Sequence, residues 1–358
     1  MVIRRLIASG VAIGLLVAAA MPVAANDSEH EHESDRYIAT VLVTGPSPDA
    51  DLVNAWGLSR GPTSPWWVAD NGTDVSTLYL ANGSKLAKPR VVIPGGAPTG
   101  TVFNPNAAAG DFKGDVFLFA GESGIISAWR GDLGANAEIG NNSHAGNAVY
   151  KGLAIGTADV GGGPQQYLYA TDFHNRRVDV FDRGFVAQTW PGAFHDPNLP
   201  KVYAPFGIQN LNGMIFVTFA KTQPGSADEQ AGRGRGYVDA FATNGTFLGR
   251  VASRGSLNAP WGLAWAPAGF GRFSGDLIVG NFGNGKLNAF RWDGHRWHHA
   301  GSLEDKHDRP IVVDGLWAIA FGGGVNVANN GAANTLFFAA GPNGEAGGSF
   351  GTITVPTH

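Results

Sequence analysis

Pro260-Trp261-Gly262-Leu263 is one of six related tetrapeptides that recur along the chain. The other five are Ala55-Trp56-Gly57-Leu58, Pro98-Thr99-Gly100-Thr101, Tyr150-Lys151-Gly152-Leu153, Pro205-Phe206-Gly207-Ile208 and Leu316-Trp317-Ala318-Ile319. Their third residues lie 43 to 56 residues apart, from position 57 to position 318. A repeat of this length is typical of folds in which one supersecondary unit is copied around an axis or along a line.

Two further apolar segments follow each tetrapeptide, as Leu277-Ile278-Val279-Gly280 and residues 286–290 do in the fifth repeat. Alternation of apolar and polar residues between Gly- and Asn-rich turns indicates antiparallel hairpins. We therefore predict an all-β fold, a six-bladed β-propeller of four-stranded antiparallel blades. Residues 37–43 (YIATVLV) have no partner in the first repeat, so we expect them to close the ring by pairing in the last blade.

Composition agrees with a strand-rich chain and excludes several classes of function. Glycine accounts for 53 of the 358 residues, whereas charged residues make up only 15%. The absence of cysteine excludes disulfides, thiolate catalysis and cysteine-ligated zinc. A formal net charge of −4 disfavours nucleic acid and anionic lipid as partners. We expect a monomer.

The first 25 residues have the pattern of a secretory signal peptide rather than of a fold. Arg4 and Arg5 precede an apolar segment, residues 6–20, and Val23-Ala24-Ala25 supplies small residues for cleavage. Residues 26–36 form an acidic, His-containing leader, and residues 37–358 form the single propeller domain. We therefore expect a secreted or periplasmic bacterial protein.

Two sets of motifs carry a resemblance to known propellers. Residues 172–181 (DFHNRRVDVF) look like the core of an NHL-type repeat. Residues 54–58 (NAWGL) and 67–72 (WVADNG) resemble an uncharacterised family of secreted bacterial six-bladed propellers. The resemblance implies the fold over nearly all of the mature chain but carries no catalytic assignment. NHL-type and related propellers include binding modules, lyases and metal-dependent lactonases, so the fold leaves the chemistry open.

The loops that lead into the innermost strands and the turns that follow the second strands meet at one axial mouth, and residues from both are the candidate ligand site. The candidates are Asn54, Trp56, Lys151, Phe206, Trp261, Trp317 and Lys221. Flat aromatic faces beside a few polar groups suit a sugar ring or an aromatic ligand. The alternative is that the same aromatic side chains only pack between the blades. Residues 221–236 form a long insertion that we expect to rise over this mouth as a flap.

A second set of candidates follows the second strand of several repeats and could bind a metal. It consists of Asp70, Glu122, Asp172 and His174. Oxygen ligands favour Ca²⁺, and the histidine also allows another divalent metal. The alternative is that Asp70 and Asp172 cap tight turns through backbone N–H groups.

These observations favour a binding module that holds a small molecule, a glycan or a protein segment at the axial mouth. A metal-dependent hydrolase of lactonase or esterase type, or a lyase, at the same mouth is the second interpretation. A scaffold protein of the cell envelope is the third. The sequence leaves open whether the protein is an enzyme.

Overall fold

The structure, a computed structural model, describes residues 36–356 as six four-stranded antiparallel sheets, which are the blades of a propeller. The predicted signal peptide and the leader as far as residue 35 lie outside the described residues. Blade 1 follows strand β1 (Ile38–Gly45) and contains β2 (Ala55–Ser59), β3 (Trp66–Asp70), β4 (Val75–Tyr79) and β5 (Val91–Val92). Blade 2 contains β6 (Pro98–Phe103), β7 (Phe117–Gly121), β8 (Ile126–Trp129) and β9 (Glu138–Asn141).

The remaining blades repeat this order. Blade 3 contains β10 (Tyr150–Ala158), β11 (Gln165–Asp172), β12 (Arg177–Asp182) and β13 (Ala187–Gln188). Blade 4 contains β14 (Tyr203–Leu211), β15 (Met214–Lys221), β16 (Gly236–Ala242) and β17 (Phe247–Ser253). Blade 5 contains β18 (Pro260–Trp265), β19 (Leu277–Asn281), β20 (Leu287–Trp292) and β21 (Trp297–Ser302). Blade 6 contains β22 (Leu316–Phe321), β23 (Leu336–Ala340), β24 (Gly348–Thr354) and β1.

Helical structure is confined to short connections. The α-helix α1 (Val327–Asn330) lies between β22 and β23, and single 3-10 turns cover Asn71–Thr73, Ala107–Ala109, Asp111–Gly114, Gly131–Leu133 and Gly271–Phe273. Within residues 36–356 we find no helix with the length and apolar character needed to cross a membrane.

Strand β1 closes the ring, as the sequence predicted. It pairs antiparallel with β24, from Ile38 opposite Thr354 to Gly45 opposite Gly348. The first and last parts of the propeller are therefore held in one sheet, and β24 does not present an open edge. The aromatic ring of Tyr37, just before β1, is buried against Phe270 of blade 5 at a centroid distance of 5.0 Å.

The six inner strands begin at one end of the axis, called the upper face here, and end at the other, the lower face. Each of them has a register shift opposite its hairpin partner at the position of the repeated tetrapeptide. Glycine at this position lets neighbouring inner strands approach closely. A Cβ atom on Gly100 would lie 2.2 Å from the backbone nitrogen of Leu153, and one on Gly207 would lie 2.0 Å from the carbonyl oxygen of Trp261. At Gly100 and Gly207 glycine is therefore required by backbone packing around the axis.

We expect Gly207→Ala to lower the free energy of unfolding by about 2–3 kcal/mol, because the new methyl group must displace backbone of the next blade. Urea denaturation measures the change. Gly131→Ala is the matched control, since a Cβ atom there meets no atom within 4 Å. Equal losses of stability in the two variants would contradict the proposed role of Gly207.

Candidate functional site

The upper axial mouth is formed where the inner strands begin, and it contains most of the predicted ligand residues. Five of them occupy the second position of a repeated tetrapeptide at the start of an inner strand: Trp56, Lys151, Phe206, Trp261 and Trp317. Asn54 directly precedes the first of these strands. The four aromatic residues belong to one buried cluster, and Lys151 is only 2% exposed. The structure therefore brings these candidates together around the axis, but with their side chains buried.

Aromatic rings close the axis beneath this mouth. Trp317 stacks on Trp56 at a centroid distance of 3.6 Å and on Phe282 at 3.9 Å. Phe206 and Trp261 meet Trp317 edge-on, at 5.7 Å and 6.1 Å. The faces of Trp317 are thus covered by other rings, which is the packing alternative considered from the sequence. Among these five aromatic side chains, Phe282 alone is partly exposed, and it lies at the outer end of the stack.

Hydrogen bonds fix two of the three indole groups that the sequence placed at the mouth. The Nε1 of Trp317 donates to Oδ1 of Asn54 at 2.8 Å, and the Nε1 of Trp261 donates to the carbonyl oxygen of Lys151 at 2.8 Å. Asn54 in turn donates through Nδ2 to Oε2 of Glu345 at 2.9 Å. A polar network therefore connects the stacked rings of Trp56 and Trp317 to the surface of the mouth.

Four carboxyl groups surround the buried ammonium group of Lys151. We call Glu122, Asp228, Glu229 and Glu345 the upper carboxylate cluster. The Nζ of Lys151 lies 2.5 Å from Oε1 of Glu122 and 3.3 Å from Oδ1 of Asp228. Glu229 and Glu345 also interact electrostatically with this ammonium group. One cation therefore faces four acidic side chains contributed by blades 2, 4 and 6.

The cluster perturbs the protonation of its members. Burial raises the pKa of Glu229 to about 7, Lys151 opposes this rise, and the charges of Glu345 and Asp228 add to it. Burial also raises the pKa of Glu345. Burial alone would lower the pKa of Lys151, but the carboxylates, Glu122 foremost, hold it above its ordinary value. Near neutral pH Lys151 is therefore charged, and Glu229 is present in both its protonated and its ionised form.

The long connection between β15 and β16, residues 222–235, places two of these carboxyl groups. Thr222 and Glu229 form an isolated antiparallel bridge, and the Gln230 amide donates to the carbonyl oxygen of Lys221 at 2.6 Å. This bridge brings Asp228 to Lys151 of blade 3. The connection thus reaches over the upper face. The amine of Lys221, a predicted ligand residue, makes no ion pair within residues 36–356.

The predicted metal residues have separate partners. Asp70 is fully buried, with a pKa raised well above its ordinary value by burial, and it accepts a 2.7 Å hydrogen bond from Oγ1 of Thr77. Asp172 accepts from the Asn175 side chain at 2.6 Å and from the Val149 amide at 3.2 Å, as a turn cap does. His174 is exposed. In the described part of the chain no three His, Asp or Glu side chains are grouped to hold a metal ion.

Sequence reasoning missed three members of the upper carboxylate cluster. Asp228 and Glu229 lie in an insertion without a counterpart in the other repeats, and Glu345 lies two residues beyond Asn343, in the corresponding turn of blade 6. Comparing acidic residues in the turns after the second strands would have singled out Glu345. No local pattern marks Glu229, because its burial depends on the fold of the insertion.

We expect the raised pKa of Glu229 to make the folded state less stable as the pH rises. The fold favours the protonated form, so this contribution is complete below the ordinary pKa of glutamate and is lost as the pH rises through about 7. Thermal unfolding between pH 5 and pH 8 should show a smaller loss in Glu229→Gln than in the unsubstituted protein. Asp239, with a pKa of about 7, titrates in both proteins, so the difference isolates Glu229. Superimposable pH profiles would contradict the assignment.

Comparison with known proteins identifies relatives without a known function. Over 297 residues the chain is 31% identical to an uncharacterised protein of Acanthamoeba polyphaga mimivirus, and the match covers 76% of this chain and 69% of the viral protein. A second uncharacterised mimivirus protein is 31% identical over 296 residues, which cover 76% of this chain and 74% of that protein. This chain belongs to their family. These relatives are viral, so the restriction to bacteria that the sequence suggested is not supported. No family model matches the chain.

Solved structures with the same fold have very different sequences. The soluble aldose sugar dehydrogenase of Escherichia coli aligns with a TM-score of 0.54 and 12% identity, over 89% of this chain and 100% of that chain. Virginiamycin B lyase of Staphylococcus aureus aligns with a TM-score of 0.51 and 14% identity, over 90% and 99%. At this level of identity the likeness establishes the propeller fold alone.

Proposed function

We propose that this protein is a binding module whose ligand sits at the upper axial mouth, above the Trp56–Trp317 stack. The observation that carries the proposal is the buried Lys151 ammonium group within the upper carboxylate cluster. The chain could have closed its axis with apolar side chains alone, and removing a charge from water costs several kcal/mol. Charged groups contributed by four blades at one point favour a role in recognition over a role in packing.

The charges of the mouth indicate the chemistry of the ligand. Four carboxyl groups and one ammonium group leave more hydrogen-bond acceptors than donors. The Asp228 side chain is 65% exposed, and that of Glu122 is 29% exposed, so both can be reached from solvent. Carboxylates accept strongly from ammonium and hydroxyl groups. We infer a ligand rich in hydrogen-bond donors, which is an amine or a sugar.

Titration of the purified protein with polyamines and neutral oligosaccharides tests this proposal. We expect a saturable change in tryptophan fluorescence for one of these classes, since Trp317 and Trp56 lie directly below the mouth. Asp228→Asn should weaken that binding by about tenfold through loss of a charge-assisted hydrogen bond. Asp305→Asn, at a carboxylate paired with Arg309, is the matched surface control. No saturable response to either class, or equal affinities in the two variants, would overturn the proposal.

A second candidate, acid–base catalysis at the same mouth, is favoured by one observation. The pKa of Glu229, about 7, is that of an efficient general acid or base near neutral pH, and Lys151 lies beside it. Such a pair could serve a hydrolase or a lyase. Assay of the protein on esters, lactones and uronate glycosides should then give turnover that Glu229→Gln abolishes. Turnover unchanged in Glu229→Gln would reject this candidate.

We also propose that the protein is exported with cleavage after Ala25, on the pattern of residues 1–25. N-terminal sequencing of protein recovered from the periplasm or the medium of a bacterial expression host should then begin at Asn26. Recovery of the intact N-terminus from the cytoplasm alone would contradict export. The envelope scaffold remains an alternative, and it would require an envelope protein that co-purifies specifically.

A further inference from the structure

A cavity opens at the lower end of the axis, on the face opposite the upper carboxylate cluster. Its volume is about 500 Å³, which is within the range of small-molecule sites. The ends of the inner strands form its wall, among them Ser59, Gln209, Trp265 and Phe321. Between the two mouths the axis narrows to a void of about 20 Å³ beside Trp261. A ligand in the lower cavity is therefore separate from one at the upper mouth.

Arg60 is the charged residue in the wall of this cavity, and the other residues of the wall are uncharged. Its guanidinium group is partly buried, and this burial lowers its pKa. The Nε of Arg60 donates to the carbonyl oxygen of Phe321 at 3.0 Å, and Nη2 donates to that of Gly322 at 3.0 Å. Among the described residues, Nη1 has no hydrogen-bond acceptor and the guanidinium group has no carboxylate partner.

Comparable arginines elsewhere in the propeller do have such partners. Arg130 lies 2.9 Å from the buried Asp115, and Arg291 lies 2.7 Å from the buried Asp276. Arg250 pairs with two buried aspartates. No carboxylate neutralises the cationic charge of Arg60, whose guanidinium carbon lies 5.5 Å from the centroid of the Trp66 ring. Burial makes a charge without an anionic partner costly. An anion supplied by a ligand would remove this cost.

The rest of the wall indicates the body of that ligand. Phe103, Trp265 and Phe321 are partly exposed and offer apolar ring surface. The side-chain amide of Gln209 makes no hydrogen bond within the described part of the chain, so it is free for a polar edge. Aromatic rings bind other flat apolar groups well, and arginine recognises carboxylates through its planar donors.

We propose that the lower cavity binds an aromatic carboxylate, with the carboxylate at Nη1 of Arg60 and the ring against Trp265 and Phe321. One guanidinium charge matches one carboxylate charge. A phosphate dianion would leave an uncompensated negative charge among apolar groups, so a monoanion fits this wall better. The site is independent of the proposed function at the upper mouth.

Isothermal titration with 2-naphthoate and its uncharged isostere 2-naphthamide tests the site. We expect 2-naphthoate to bind with a dissociation constant of about 1 mM or below and the amide to bind at least tenfold more weakly. Arg60→Gln should remove this preference for the carboxylate. Because that substitution also removes two hydrogen bonds to backbone, Ala320→Trp, which fills the cavity and retains Arg60, should independently abolish binding.

Three results would overturn this proposal. The first is equal affinity for 2-naphthoate and 2-naphthamide, or no saturable binding of either. The second is 2-naphthoate binding that survives both Arg60→Gln and Ala320→Trp. The third is binding that Asp228→Asn abolishes and Ala320→Trp leaves intact, because the ligand would then occupy the upper mouth.

Discussion

A chain that begins at Pro46, and so lacks β1, should fail to fold into a cooperative monomer. Strand β1 supplies the fourth strand of blade 6, and its loss exposes the backbone groups of β24 from Gly348 to Thr354. It also removes Tyr37, whose ring packs on Phe270 and Phe273 and whose hydroxyl donates to the carbonyl oxygen of Phe270 at 3.1 Å. Loss of a buried aromatic side chain alone costs about 3–5 kcal/mol.

The total free energy of folding of a domain is about 5–15 kcal/mol, so loss of β1 and Tyr37 together should remove most of it. Circular dichroism and size-exclusion chromatography of the shortened chain measure the effect. A chain beginning at Arg36 is the control, because it retains every contact described for β1. A synthetic peptide of residues 36–45 should restore a cooperative transition when it is added to the shortened chain. A chain from Pro46 that melts at the same temperature as the control would contradict the role of β1 in closure.

Lys151→Met should destabilise the propeller by about 3–5 kcal/mol, because it leaves the upper carboxylate cluster without its cation. Methionine retains most of the volume of the lysine stem, so the change is mainly electrostatic. Without Lys151 the carboxylates repel one another in the folded state, and the pKa values of Glu229 and Glu345, which burial already raises, rise further. The loss of stability in Lys151→Met should therefore be larger at pH 8 than at pH 5. Chemical denaturation at the two pH values measures both effects.

Two further variants separate charge from packing at this position. Lys221→Met is the matched control on the same face and should be nearly neutral, since the Lys221 amine forms no ion pair within residues 36–356. Glu122→Gln in the Lys151→Met background should recover part of the lost stability by removing one unpaired carboxylate. A loss of stability in Lys151→Met that does not depend on pH, or that is no larger than the loss in Lys221→Met, would show that the Lys151 charge does not stabilise the mouth.

Much of the fold could be predicted because its local patterns repeat. A tetrapeptide such as Pro205-Phe206-Gly207-Ile208 marks each inner strand, and its glycine reflects the close approach of neighbouring backbones. The closing role of β1 followed from an apolar segment without a partner in its own repeat. In blade 6 Ala318 replaces the glycine, so the pattern tolerates one small side chain.

The candidate site was predicted less completely. The structure places Asn54, Lys151 and the mouth aromatics at one end of the axis, because position in a repeat fixes position around a ring. Their role in ligand binding stays a prediction. Whether Trp317 faces solvent or another ring depends on side chains from other blades, and the structure places Trp56 and Phe282 against its two faces. The partners of Lys151 belong to distant parts of the chain and follow no repeat.

The amino-acid sequence was sufficient for the number of blades, the strand order and the closure of the ring, because these depend on hydrophobic periodicity and turn chemistry, which are local. Burial of Lys151, the proton affinity of Glu229 and the isolation of Arg60 became evident only in the folded chain. Each depends on how many charges and how much water lie within a few ångströms of a group. Residues far apart along the chain set those quantities, and only the packing of the blades brings them together.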